Sequence, residues 1–450
     1  MDYIFADAAL TPAGWLSDVR IGFDAAGIVS VQPGTPEDGD ERHRVILPGM
    51  PNLHSHAFQR GMAGLAEVRG AGEDSFWSWR NVMYRFALSM TPQQMEAVAA
   101  QLYVEMLEAG FSRVGEFHYL HHDLDGHPYA DISEMAQRIA AAAEETGIGL
   151  TLLPVFYAHS TFGGAGPTEG QRRFVNTLDG FEKVHAGCLR AVRTLPEGKV
   201  GVAPHSLRAV TPDELAAVAA LAGNAPKHIH VAEQTREVED CIAWSGARPV
   251  QWLLDHASID RGWCLIHATH MTDDETTRMA RSGAVAGLCP VTEANLGDGT
   301  FAARAFTQAG GRFGIGSDSN VLIGIGDELR QLEYSQRLLH RSRNVLATAG
   351  NSTGRSLFDN AVEGGGIALG VETGLAPGLP ADFISLEMHT DDVFTKDTLL
   401  DSWIFAGGAK PGTVWVAGQK HVENGRHRLR DTIQARFSAV MRELATSNNP

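Results

Sequence analysis

Apolar positions along the chain follow two rhythms. Residues 1–46 alternate short apolar runs with turns: YIFADAAL, a turn at TPAG, VRIGFD, a turn at AAG, then IVSVQP. Alternation broken by Gly and Pro predicts a small antiparallel sheet. The same rhythm returns after residue 372, where GLAPGLPADFISLEMH and GTVWVAGQKHVENG read as strands and tight turns. The two ends therefore predict one small β-sandwich domain assembled from 1–46 and 373–450, with a tail helix. Between them, apolar strand-like runs alternate with Ala/Glu/Leu-rich helical stretches such as PQQMEAVAAQLYVEMLEAG and DISEMAQRIAAAAEETG. The runs are VILPGMPNLHSH, RVGEFHYL, GLTLLPVFY, KVGVAPHSL, KHIHVAEQ, GWCLIHATH, AVAGLCPVTEANL and RFGIGSDSN. Eight strands separated by helices are the pattern of an α/β chain folded as a (β/α)8 TIM-type barrel over 47–372. The helix ahead of the fourth run, TLDGFEKVHAGCLRAV, has no clear start.

A barrel predicts where chemistry lies, because active sites in this architecture gather at the C-terminal strand ends. His54 and His56 close run one, His118 run two, His205 run four, His230 and Glu233 run five, His267 run six and Asp318 run eight. In a strand, residues two apart face the same side, so His54 and His56 can grip one ion. An HxH pair alone serves packing as readily, and a strand-end Asp318 could cap the next helix. Together with His230 as a third imidazole, Asp318 reads as the fourth metal ligand. Glu233, three residues past His230, supplies the carboxylate that metal-assisted hydrolysis needs for proton transfer. His267 would stand at the developing oxyanion.

Composition narrows the function. Hydrophobic residues make up 44% of the 450 and charged residues 20%, which is ordinary globular usage. The net charge of −17, without a Lys/Arg-rich run, excludes a nucleic-acid binder. Cys188, Cys241, Cys264 and Cys289 are too scattered for a CxxC site or a disulfide framework and read as buried thiols. The N-terminus lacks a basic n-region with an apolar core, and no stretch is long enough to cross a bilayer, so a cytoplasmic protein without membrane contact is expected. No segment announces an interface, and the acidic, Gly-rich surface suits a monomer or a homodimer.

The ligand pattern of HxH after strand one, His after strands five and six, and Asp after strand eight resembles the amidohydrolase superfamily, as do the β-rich flanks. The HxAE form at strand five resembles its deaminating branch. No lysine ends the run KVGVAPHSL, where binuclear members carry a bridging one, so the resemblance implies one divalent ion, zinc. The phrases PGMPNLHSHAFQRGMAGLAE, DSFWSWRNVMYR, EFHYLHHD, HSLRAVTP, HIHVAEQ, WCLIHATH and VTEANLGDG resemble, across essentially the whole chain, the formimidoylglutamate deiminases of histidine degradation. That resemblance implies hydrolysis of N-formimino-L-glutamate to N-formyl-L-glutamate and ammonia. It places Arg80 and Arg208, in loops at the catalytic end, on the substrate carboxylates, with Gln59, Tyr119 and His205 adding hydrogen bonds. Glu233, His267 and Asp318 would be the catalytic groups. Trp77 and Trp79 would wall the pocket, His118, His121 and His122 are more simply solvated or supporting, and Asn320 receives no role. The competing reading is an aminohydrolase of a nucleobase or another cyclic amidine, which would need flat apolar walls and few cations.

Overall fold

The computed structural model describes residues 1–69, 76–388 and 396–447. Asp74 and Ser75 of DSFWSWRNVMYR and His389 of the C-terminal strand run lie outside the described residues.

Strands β1 (Asp2–Thr11), β2 (Gly14–Asp24), β3 (Gly27–Pro33) and β4 (Glu41–Pro48) come from the N-terminus. The chain then enters the barrel through β5 (Met50–Ser55), β6 (Phe111–His118), β7 (Gly149–Phe156), β8 (Lys199–Val200) and β9 (Ala203–Pro204). It continues with β10 (Lys227–Val231), β11 (Trp263–His267), β12 (Val285–Leu288) and β13 (Arg312–Ile315). Strands β14 (Phe383–Met388), β15 (Ala409–Val416), β16 (Gln419–Glu423) and β17 (Arg426–His427) return to the first group. Together the terminal strands form one eight-stranded path, β17-β16-β15-β14-β4-β1-β2-β3. The pairing is not antiparallel throughout. β1 and β4 run parallel, because the segment after β3 carries the chain back to the opposite edge of β1. Apolar residues of this sheet, among them Ile4, Ile21, Phe23, Ile46, Phe383 and Trp415, form their own buried cluster.

The barrel strands lie parallel in two hydrogen-bonded groups, β5 to β9 and β10 to β13. Single bridges stitch the groups into a ring: Ser55 with Asp318 on one seam, Val202 with Lys227 and Ser206 with His230 on the other. The fourth run is two short pieces rather than one strand, interrupted at Gly201 and Val202. Its backbone still bonds both neighbours, through Gly201 N to Leu152 O at 3.0 Å and Val202 N to Pro226 O at 2.9 Å. The uncertain helix before it starts at Leu178, where the Thr177 side chain accepts the Gly180 N–H.

Leu53 fills the barrel axis. A Cβ on Gly314 would stand 2.4 Å from Leu53 Cδ2 and one on Gly287 3.0 Å from Leu53 Cδ1, so these strands come this close only as glycine. Helix Thr353–Leu369 closes the N-terminal end, where His228 Nε2 donates to Ala368 O at 2.7 Å. The opposite end is thereby left free for side chains from the strand termini.

Candidate metal centre and substrate pocket

His54 lies in β5 and His56 directly follows it, His230 is in β10, and Asp318 follows β13. The seam between the first and last barrel strands runs through His54, His56 and Asp318. Asp318 N donates to His54 O and Asp318 O accepts from His56 N, both at 3.0 Å. The same backbone contacts that close the barrel therefore set the spacing of three candidate ligands. One donor atom from each of His54, His56, His230 and Asp318 lies within 4.8 Å of the others, and all four residues are buried. Asp318 Oδ1 is 3.3 Å from His54 Nε2 and 3.2 Å from His56 Nε2, and the Nε2 atoms of His54 and His230 are 3.1 Å apart.

The donor chemistry fits a divalent cation. His56 Nδ1 donates to Phe117 O at 2.9 Å and His230 Nδ1 to His205 O at 3.0 Å. A carbonyl only accepts, so the protons are on Nδ1 and the Nε2 lone pairs face the common centre. Burial pushes His54 down to about 3 and His230 well below its ordinary value, which keeps both imidazoles neutral. Asp318 Oδ1 faces the Nε2 atoms of His54 and His56, so its buried charge is best met by a cation between them. Neutral imidazoles around a buried carboxylate make a cation-binding set.

Backbone strain gathers here. His267, Ala268, Asp318, Asn320 and Ala232 all have φ between 46° and 65°, a region that costs a residue with a Cβ about 1 kcal/mol or more. Asp318 does not cap the next helix, which begins at Ile325 behind Gly324. Glu233 is buried rather than solvated, and burial raises its carboxyl to about 7. His267 Nε2 lies 3.8 Å from both Glu233 Oε1 and Asp318 Oδ2. Burial alone would lower His267, but Glu233, Glu293 and Asp318 outweigh it and raise the imidazole to about 10.

Above the candidate ligands a cavity is lined by His56, Gln59, Tyr119, His205, Arg208, Glu233, His267 and Asp318 from the strand ends, with Arg80 and Trp79 opposite. Arg80 is on the helix Phe76–Ser89, not in a loop, and that helix rather than a flexible turn presents it. Arg208 lies in the turn after β9. The Nε atoms of both arginines are buried without a hydrogen-bond partner, and neither forms an ion pair among the described residues. Gln59 Nε2 donates to the Tyr119 hydroxyl at 3.0 Å, while Gln59 Oε1 is left unpaired. Trp79 walls the cavity as expected. Trp77 does not line it; its ring carries the Arg80 guanidinium at 4.6 Å and that of Arg236 at 5.0 Å.

His118, His121 and His122 stand away from this cavity. His121 Nε2 donates to Val155 O and His122 Nε2 to Val175 O, so these two fasten loops. Asn320, given no role on sequence grounds, donates from Nδ2 to His56 O at 3.0 Å and accepts from Ser317 Oγ at 2.6 Å. It ties the last strand end to the HxH segment. Sequence reasoning passed over Glu293 and Tyr157. Glu293 accepts from His267 Nδ1 at 3.3 Å and from Cys289 N at 3.0 Å. Tyr157 lines the cavity beside Arg208. Only a charged residue just past a buried strand, in CPVTEANL, could have drawn attention to the first.

Residues 45–420 match the amidohydrolase family, and residues 1–44 match the formimidoylglutamate deiminase HutF, N-terminal domain. A formimidoylglutamate deiminase from Pseudomonas aeruginosa is 50% identical over 452 aligned residues, covering 99% of this chain and 100% of its own. The crystal structure of an amidohydrolase from Brucella melitensis superposes with a TM-score of 0.97 at 62% identity, covering 99% of this chain and 100% of that one. A zinc-bound adenosine deaminase from Xanthomonas campestris shares the fold at 20% identity, with a TM-score of 0.82 over 99% of this chain and 98% of its own.

Proposed function

The chain belongs to the amidohydrolase family and, within it, to the formimidoylglutamate deiminases, and from that premise we propose how its residues carry out the reaction. The activity is metal-dependent hydrolytic deimination: N-formimino-L-glutamate and water give N-formyl-L-glutamate and ammonia. In our reading a single zinc ion is held by His54, His56, His230 and Asp318, since no lysine stands at the end of the fourth strand to bridge a second. When bound, the ion supplies a water acidic enough, with a pKa of ~7, to attack near neutral pH.

Glu233 accepts a proton from the attacking water as the oxygen bonds to the formimino carbon. Its elevated affinity for protons, caused by burial, suits a group that must take a proton and then release it. The same carboxyl delivers that proton to the terminal nitrogen. The hydrogen left on the attacking oxygen passes to Asp318 as the carbonyl forms; the carbon–nitrogen bond breaks, the nitrogen keeps the electron pair, and ammonia leaves. His267, held protonated by the surrounding carboxylates, donates toward the oxygen as negative charge develops there. Asp318 keeps the attacking oxygen oriented.

The observation that carries the substrate is Arg208. Its guanidinium is buried, its Nε has no partner, and it opens on the cavity that Glu233 lines. A buried cation left unpaired is costly, so an anionic ligand is what completes it. Arg80 faces the same space and would take the second carboxylate. Gln59, Tyr119 and His205 would add neutral hydrogen bonds. A nucleobase carries no carboxylate to satisfy either arginine, which disfavours the cyclic-amidine reading. In this reading the barrel, 47–372, holds the chemistry, the sheet from 1–46 and 373–450 buttresses it, and the enzyme works in the cytoplasm. No helix among the described residues is long and apolar enough to cross a membrane. Measuring ammonia release from N-formimino-L-glutamate, adenosine, guanine and cytosine tests the assignment. Turnover of a nucleobase in preference to the dicarboxylate would overturn it.

A further inference from the structure

Glu237 belongs to the first turn of the helix Thr235–Ser245, behind Gln234 at the N-cap. A glutamate at this position, three residues past the N-cap, ordinarily turns back to the N-cap backbone N–H. Glu237 reaches further. Its Oε1 accepts the Ala232 N–H at 3.3 Å and its Oε2 the Glu233 N–H at 3.1 Å, both in the loop ahead of the helix. The side chain is 1% exposed and forms no ion pair among the described residues, so its charge is buried without a covering cation in direct contact. Ala232 is held at φ 51°, a left-handed conformation that turns the chain between the candidate ligand His230 and Glu233.

We propose that Glu237 is a positioning residue for Glu233: its paired contacts with the Ala232 and Glu233 N–H groups hold the turn from which the Glu233 carboxyl enters the cavity. The ordinary role, capping the helix, leaves Ala232 and Glu233 uncontacted. Reach and two acceptor oxygens are what this role demands, and shortening the side chain or replacing one acceptor removes each in turn.

This inference rests on the functional reading above for its turnover assay, and the experiment is arranged to tell the two apart. Glu237→Asp keeps the charge but cannot span both N–H groups. Glu237→Gln keeps the length but turns an NH2 toward one of the donors. Both variants are purified with metal, their zinc content and thermal midpoint are measured, and kcat and KM are determined for N-formimino-L-glutamate. Binding of glutarate, which carries two carboxylates and no reactive group, is measured alongside by calorimetry. The expected result is a kcat at least tenfold lower in both variants, with KM and the glutarate Kd within twofold of the parent and zinc content unchanged. A kcat within twofold of the parent in Glu237→Asp, a loss shared equally between kcat and KM, or losses that track lost zinc or lost folded protein overturn the proposal. A parent that releases no ammonia from N-formimino-L-glutamate overturns the functional reading, and the same kcat comparison on the substrate it does hydrolyse then decides this one.

Discussion

Glu293 Oε1 accepts from His267 Nδ1 at 3.3 Å while also accepting the Cys289 N–H at 3.0 Å. The carboxylate is thus anchored to the backbone at the end of the seventh barrel strand and reaches across to the histidine that ends the sixth. With Nδ1 engaged, His267 presents Nε2 to Glu233 and Asp318, each 3.8 Å away. An imidazole placed in this way is oriented and kept charged by a partner that need not touch substrate. Glu293→Gln should therefore lower kcat on the order of tenfold to a hundredfold with little change in KM and none in zinc content. Steady-state kinetics with metal analysis checks this, and an unchanged kcat would remove Glu293 from the mechanism.

Glu233→Gln is close in size and removes only the ability to accept and return a proton. General acid–base catalysis contributes on the order of 10²–10⁴ in rate. The variant should keep its metal and its fold and lose kcat by a factor in that range. Activity within a few fold of the parent would show that another group moves the proton.

Arg208→Met and Arg80→Met test the dicarboxylate clamp. A hydrogen bond to a charged partner contributes about 1.5–3 kcal/mol, which corresponds to a rise in KM of roughly tenfold to a hundredfold for each arginine. The effect should fall on KM far more than on metal content. Because Arg208 is the more deeply buried cation, its replacement should also leave the unliganded protein no less stable, as judged by its thermal midpoint.

Stripping the metal with a chelator should abolish turnover, and zinc should restore it. The metal-free protein should also melt at a lower temperature than the zinc form. Ion at about a thousand times its Kd stabilises the folded state by about 4 kcal/mol. Differential scanning calorimetry with and without zinc reads this directly. Equal midpoints would mean that the four converging ligands do not bind the ion in the folded state.

Gly364→Ala probes the closed end of the barrel. A Cβ at that position would stand 2.0 Å from Phe313 O, a backbone atom that cannot rotate away. Overpacking typically costs about 1–3 kcal/mol, and the upper part of that range is expected here because β13 itself must move. A thermal midpoint equal to that of the parent would show that the helix Thr353–Leu369 shifts freely.

The sequence by itself determined which residues could do the chemistry. Strand-end placement of His54, His56, His230 and Asp318 follows from an eightfold alternation of apolar runs and helices, since a barrel puts every strand terminus on one rim. The proposal that Arg80 and Arg208 meet the substrate carboxylates came only through resemblance, because a lone arginine in a sequence does not reveal whether an acid will pair with it. Tertiary structure decided the rest through contacts that periodicity does not encode. The parallel pairing of β1 with β4 depends on where a connection returns. The helix that carries Arg80 over the cavity, and the displacement of Trp77 from its wall, depend on packing between distant segments. Glu293, Glu237 and Asn320 act by reaching from one strand end or helix turn to the backbone of another. Such contacts depend on distances across the barrel mouth, and residues far apart in the chain acquire them only when the ring of strands closes.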